Sequence, residues 1–356
     1  MAKSNDIRER AALISAARLK EGRRVLDLGW EGVSSGGPLH ETRADITFVA
    51  EDIREVKKTE SKGVYRSVLS TSPSNSVSGP MDVVLYRPAQ RAAKGQVFEW
   101  IDEGFQALCL DGAFCLAGRK DRGVESYKRR LQDVFGNCTL DGRVGRLRVY
   151  RAEKRQSEPA VDPFDSKLSF TMCDLPGSPY AIETKAGVFS RDGLDPGTKL
   201  LIEYLKIKPA DRVLDWGCGW GALGLVAAHL APKGDITLVD ASVRAVACAK
   251  RNLVLNNVAN AHARVDDACN DPGEEAFDLI LSNPPFHEGN ATAHPLIEGA
   301  FRQLKMRGRL MLVVMRSEPY MKHIKKVFGN AEIVVQKGGY SVISASVGTP
   351  LSNRRL

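Results

Sequence analysis

Short apolar runs rich in β-branched residues recur along the chain, each followed by a longer stretch with apolar positions at helical spacing. In the second half, RVLDWG (212–217) is a continuous apolar strand ending in glycine, and ALGLVAAHLA (222–231) follows as a helix. DITLVD (235–240) is the next strand, and SVRAVACAKRNLVLNN (242–257) is a helix that Ser242 can cap. AHARVDDA (261–268) and FDLILSN (277–283) predict two further strands. HPLIEGAFRQLKMRG (294–308) predicts a helix stopped by Gly308; RLMLVVM (309–315) and EIVVQKGGYSVISA (332–345) complete the set. Strands alternating with helices predict an α/β fold, a mainly parallel doubly wound sheet with crossover helices on both faces. Near-continuous apolar strands such as LMLVVM are what burial on both faces requires.

The pattern is written twice. RRVLDLGW (23–30) matches DRVLDWGC (211–218), and DITFVAEDIREV (45–56) matches DITLVDASVRAV (235–246). MDVVLYRPAQ (81–90) matches FDLILSNPPF (277–286), and VFGN recurs at 134–137 and 327–330. The matches keep their order at nearly constant offset, the mark of a tandem duplication. Residues 1–155 are expected to form the first copy and 173–356 the second. The polar, proline-containing stretch 156–172 is expected to link them, although SKLSFTM (166–172) has strand character.

Composition adds constraints. At 356 residues, 43% hydrophobic and 26% charged, the chain suits two globular domains. It contains no apolar run of membrane-spanning length, and its charged N-terminus lacks a signal-peptide core. Seven cysteines, an odd number with no C-x-x-C pair, fit reduced thiols in the cytoplasm rather than disulfides or a metal centre. The net charge of +8 is compatible with a polyanionic partner. From Arg119 to Arg155 there are 12 Lys/Arg against 5 Asp/Glu, with Arg129 and Arg130 at the centre of YKRRL. That stretch is either a nucleic-acid contact or an ordinary solvated face.

Candidate chemistry lies at the strand ends. Gly217, Gly219 and Gly221 sit in WGCGWGALG, between strand and helix, where glycine lets backbone approach a ligand. Gly219, Gly221 and Gly224 satisfy the dinucleotide pattern G-x-G-x-x-G, yet Asp-x-Gly-x-Gly-x-Gly serves S-adenosylmethionine equally well, so the loop alone leaves both open. Asp215 opens the loop and is a candidate to order it or reach a ligand amino group. Asp240 is placed to accept two ribose hydroxyls. Asp267, with Asp266 as the alternative, is placed for an adenine amino group.

Asn283-Pro284-Pro285-Phe286 separates the two readings, because a nicotinamide enzyme has no need of it. Methylating a planar exocyclic amine costs the conjugation of its lone pair with the ring. The Asn283 amide oxygen and the Pro284 carbonyl can accept both N–H groups and aim that lone pair. Pro284 and Pro285 stiffen the turn by fixing φ, and Phe286 offers a face on which a flipped base can stack. His287 and Glu288 are expected as loop residues or phosphate contacts, not metal ligands.

With these residues in place, VLDWGCGWGALGL, LVDAS and LSNPPFHEG, preceded by GVFSRDGLDPGTKLL, resemble the small-subunit methyltransferase family. More specifically, the chain is similar to bacterial 16S ribosomal RNA guanine-N2 methyltransferases, which carry two methyltransferase-like domains in tandem, the first degenerate. The resemblance implies S-adenosylmethionine as cofactor and ribosomal RNA, within the small subunit, as partner. It also implies that the segment 187–198 closes over the site, with Phe189 and Ser190 near the methionine end and Asp195 anchoring the segment. Asp195 and Thr198 as plain helix caps is the other reading.

The first copy lacks this chemistry. Glu31 and Val33 stand where the second copy has Gly219 and Gly221, Arg87 and Gln90 replace Asn283 and Phe286, and Ala50 replaces Asp240. It is expected to bind no cofactor and instead to hold RNA, or only to brace the second copy. Alternative functions are a large-subunit RNA guanine methyltransferase, a protein glutamine methyltransferase and a non-catalytic RNA-binding assembly protein.

Overall fold

The computed structural model describes residues 11–28, 42–61, 66–89, 91–267, 276–284 and 290–348. The chain divides into two units, Met1–Lys167 and Leu168–Leu356. The first holds β1 (Arg24–Leu28), β2 (Asp45–Ala50), β3 (Arg66–Leu69), β4 (Met81–Tyr86), β5 (Leu108–Arg119), β6 (Thr139–Val144) and β7 (Leu147–Glu153). The second holds β8 (Leu168–Met172), β9 (Tyr180–Thr184), β10 (Arg212–Trp216), β11 (Asp235–Asp240), β12 (Ala261–Val265), β13 (Phe277–Ser282), β14 (Leu304–Val314), β15 (Glu332–Lys337) and β16 (Tyr340–Ser346).

The two seven-stranded sheets share one topology. Their orders are β3-β2-β1-β4-β5-β7-β6 and β12-β11-β10-β13-β14-β16-β15, so the written duplication is also a duplication of fold. In each, five strands run parallel and a C-terminal hairpin closes one edge antiparallel. Buried side chains leave both faces of the strands. Val213 joins the apolar cluster under the helices Pro196–Glu203, Ala222–Leu230 and Val243–Leu255, whereas the adjacent Leu214 joins the cluster under Asn290–Gln303 and Ser317–Phe328.

One local departure from the sequence pattern has a physical cause. The helix expected to stop at Gly308 ends at Gln303, and Leu304 already pairs with Phe277 at the start of β14. The strand must then absorb a register shift between Phe277 and Leu279, which Arg307 (φ 65°) and Gly308 accommodate. A Cβ on Gly308 would lie 2.9 Å from the Phe277 carbonyl oxygen, so this glycine permits close strand approach and does not end a helix. Leu168–Met172, within the SKLSFTM stretch of strand character, is a strand paired antiparallel with β9.

Among the described residues, no helix is long and apolar enough to cross a membrane and no cluster of His, Cys, Asp and Glu could hold a metal ion. The described cysteines are free thiols.

Candidate active site

Strand order reverses at β10, where β11 lies on one side and β13 on the other, and ligands of such sheets bind in the crevice at that reversal. Register fixes what meets there. Trp216 pairs with both Val239 and Ser282, so the glycine loop, Asp240 and Asn283 all leave the sheet at one level. The Ser282 hydroxyl donates to the Trp216 carbonyl at 2.7 Å and ties the two strand ends together.

Gly217, Gly219 and Gly221 all adopt left-handed backbone (φ 76°, 55° and 96°), which explains the alternation of glycine in this loop. A Cβ on Gly217 or Gly219 would meet open space, so the backbone there lies bare to a ligand. Asp215 is buried beneath the loop; one carboxylate oxygen accepts the Gly224 N–H at 2.9 Å and the other has no partner. Burial pushes its pKa up to about 7, against the Gly224 hydrogen bond, with the charge of Asp240 adding to the rise. Asp240 accepts the N–H groups of Gly219 (3.0 Å) and Ser242 (2.9 Å). Asp267 is buried just past β12, whereas Asp266 lies 3.8 Å from the Arg264 guanidinium.

A cleft is lined by Phe189, Ser190, Asp195, Thr198, Asp215, Gly217, Gly219 and Asn283, with Leu194, Cys218, Trp220, Ala222 and Leu223. Phe189 is 57% exposed there, an unusual state for a phenyl ring. The half-buried Ser190 adopts left-handed φ (51°), and its carbonyl accepts the Trp220 indole N–H at 3.1 Å. Gly221, Asp240 and Asp267 do not line this cleft, although Asp240 is joined to it through Gly219.

Asn283 is the most informative side chain. Its amide nitrogen donates to Asp195 Oδ2 (2.9 Å) and to the Thr198 hydroxyl (2.8 Å), while Oδ1 is buried and has no partner. Pro284 is buried beside it. Pro285, Phe286, His287 and Glu288 lie outside the described residues, as do Glu31, Val33 and Gln90 of the first copy.

One residue escaped the sequence reading, and another does more than was expected of it. Asn252 is fully buried and donates to the carbonyls of Glu183 and Trp220 while accepting the Glu183 N–H, so it fastens β9 to the glycine loop. Its signal was an uncharged polar residue on the apolar face of a helix. Asp195 caps the helix Pro196–Glu203, as its place in DPGT implies, but the same carboxylate also grips Asn283.

The arginine pair splits. Arg130 is not available to RNA: it is buried, its guanidinium donates to both Asp102 oxygens (3.0 and 2.6 Å) and to the Asp162 carbonyl, and it serves the core of the first unit. Arg129, one position earlier on the helix Val124–Phe135, is exposed.

A model of the methyltransferase small domain matches residues 179–344, the span that carries the glycine loop, Asp240 and Asn283. The chain belongs to this methyltransferase family. Ribosomal RNA small subunit methyltransferase C of Pectobacterium atrosepticum is 35% identical over 247 residues, which span 66% of this chain and 66% of the relative. The protein of that name from Escherichia coli K12 is 33% identical over 249 residues, 65% of this chain and 66% of its own length. The solved structure of the T. thermophilus 16S rRNA N2 G1207 methyltransferase (RsmC) with AdoMet and guanosine is 26% identical, with a TM-score of 0.81 over 94% of this chain and 91% of that one. Both methyltransferase-like units thus fall within a single structural match.

Proposed function

We propose that this chain transfers a methyl group from S-adenosylmethionine to the exocyclic N2 amine of a guanine in 16S ribosomal RNA, in the cytoplasm and within the small subunit. The observation that carries the reading is the Asn283 carboxamide, with its nitrogen held by Asp195 and Thr198 and its oxygen buried and unmatched at the cleft. A buried acceptor without a partner is costly unless a ligand donor completes it. The relatives named for small-subunit ribosomal RNA, and the guanosine in the T. thermophilus complex, support guanine as that ligand.

The second unit fits the cofactor. The bare backbone of Gly217 and Gly219 admits its close approach, the open Asp215 oxygen suits its ammonium group, and Asp240 and Asp267 suit ribose and adenine. When bound, S-adenosylmethionine supplies an electrophilic methyl group on a sulfonium. The rest falls to this chain: Asn283 Oδ1 and the Pro284 carbonyl accept the two amine hydrogens, which holds the nitrogen with its lone pair directed out of the ring plane. Asparagine is no base at accessible pH, so orientation is the chief contribution and the proton leaves to water. Pro285 and Phe286 are the proposed contacts to the base, and Phe189 and Ser190 bound the methionine end.

The first unit is proposed to hold RNA through exposed cations such as Arg129. Its Glu51, next to the position that matches Asp240, already accepts the Trp100 indole N–H (2.6 Å) and the Gln96 amide (2.7 Å).

Calorimetry tests the reading. Wild type should bind S-adenosylmethionine, and Asn283→Ala should bind it about as well while losing at least a hundredfold in turnover. Absence of binding to the wild type would remove the enzyme reading, and survival of turnover in Asn283→Ala would remove the amine-acceptor role.

A further inference from the structure

We infer that Asp195 and Thr198 are positioning residues that set the orientation of the Asn283 carboxamide, an inference that rests on the amine-acceptor reading above. An asparagine side chain can sit with oxygen and nitrogen exchanged at almost no steric cost, and an exchanged Asn283 would offer a donor where the amine needs an acceptor. The network forbids the exchange. Asp195 Oδ2 has only lone pairs to offer, so the group 2.9 Å from it must be the amide nitrogen. The second amide hydrogen goes to the Thr198 hydroxyl at 2.8 Å, and that hydroxyl can direct its own hydrogen to Asp195 Oδ2 at 3.4 Å.

The clamp is itself held in place. Asp195 Oδ2 accepts the Thr198 N–H at 2.8 Å as the cap of the helix Pro196–Glu203, and Thr198 is buried. A Cβ on the intervening Gly197 would come within 2.7 Å of the Tyr340 ring and 3.0 Å of Asp195 Oδ2, so this turn is packed tightly against β16. Both amide hydrogens are therefore consumed by one helix turn, and the unsatisfied polar atom of the Asn283 side chain is its oxygen. The segment before β10 thus acts on the amine acceptor across 88 positions of sequence, beyond any role as a lid or a cap.

Conservative pairs separate positioning from capping. Asp195→Ser keeps a capping hydroxyl but is too short to reach Asn283, whereas Asp195→Asn keeps an oxygen at the same distance. Thr198→Val removes the hydroxyl at constant shape, and Thr198→Ser restores it. In Asp195→Ser and Thr198→Val we expect kcat to fall about 10- to 100-fold, with the Kd for S-adenosylmethionine within twofold of wild type. Asp195→Asn and Thr198→Ser should recover most of that loss. A readout independent of turnover is hydrogen exchange of the Asn283 side-chain amide in protein labelled with 15N-asparagine, which should be at least tenfold faster in Asp195→Ser and Thr198→Val. Wild-type kcat together with unchanged exchange in those two variants would overturn the inference. A wild type that methylates no RNA would instead overturn the functional reading, while the exchange rates still report on the clamp.

Discussion

The carboxylate of Asp240 accepts the backbone N–H of Gly219 at 3.0 Å, so the acid that closes β11 also fixes the loop that follows β10. Its second oxygen takes the Ser242 N–H at 2.9 Å, at the start of the next helix. One side chain therefore ties the glycine loop to the start of the next helix, at the level proposed for the cofactor ribose.

Removal of that carboxylate should act through both roles. Asp240→Ala should weaken S-adenosylmethionine binding about 30- to 100-fold, equivalent to about 2–3 kcal/mol, by calorimetry. An affinity within threefold of wild type would place the ribose elsewhere.

Asp215 gives the site a pH dependence. Its pKa, raised to about 7 by burial, leaves it largely protonated below neutrality in the free protein. A cationic ligand stabilises the ionised carboxylate, so binding should release a proton, and apparent affinity should climb as pH rises toward 7 and level off above it. Asp215→Asn should abolish the slope. Calorimetry in two buffers of different ionisation enthalpy measures the released proton directly, and equal apparent enthalpies at pH 6.5 would contradict the assignment.

Neighbouring arginines should behave oppositely. Arg130→Ala leaves the half-buried Asp102 carboxylate with only the Phe164 N–H and should cost about 2–3 kcal/mol of stability in denaturant unfolding. Arg129→Glu should leave stability within about 0.5 kcal/mol, weaken RNA binding and reduce its salt dependence by about one ion per lost phosphate contact. An unchanged salt slope would remove Arg129 from the RNA surface.

Much of the fold was legible because it rests on local pattern. Continuous apolar runs marked the strands, and the repeat meant that β1, β2 and β4 supported the assignment of their counterparts β10, β11 and β13. What escaped depended on tertiary pairing. Gly308 follows a stretch with helical spacing, yet its role is set by the Phe277 carbonyl across the sheet. Arg130 drew attention as part of a basic run, although helical periodicity already placed it beside Tyr127, Leu131 and Val134, all buried. The glycine loop and Asn283 were visible as motifs. The grip of Asp195 on Asn283 was not, since no local signal says that a helix cap will reach a strand end 88 residues later.

The product proposed for this chain is a methyl group on guanine N2 of small-subunit RNA. Ribosomal subunits incubated with the protein and methyl-labelled S-adenosylmethionine, followed by mapping of the modified base, test it most directly. Label should appear in 16S RNA at a single guanine, as N2-methylguanine, and nowhere with Asn283→Ala. Label in large-subunit RNA, on a protein glutamine, or nowhere would contradict it.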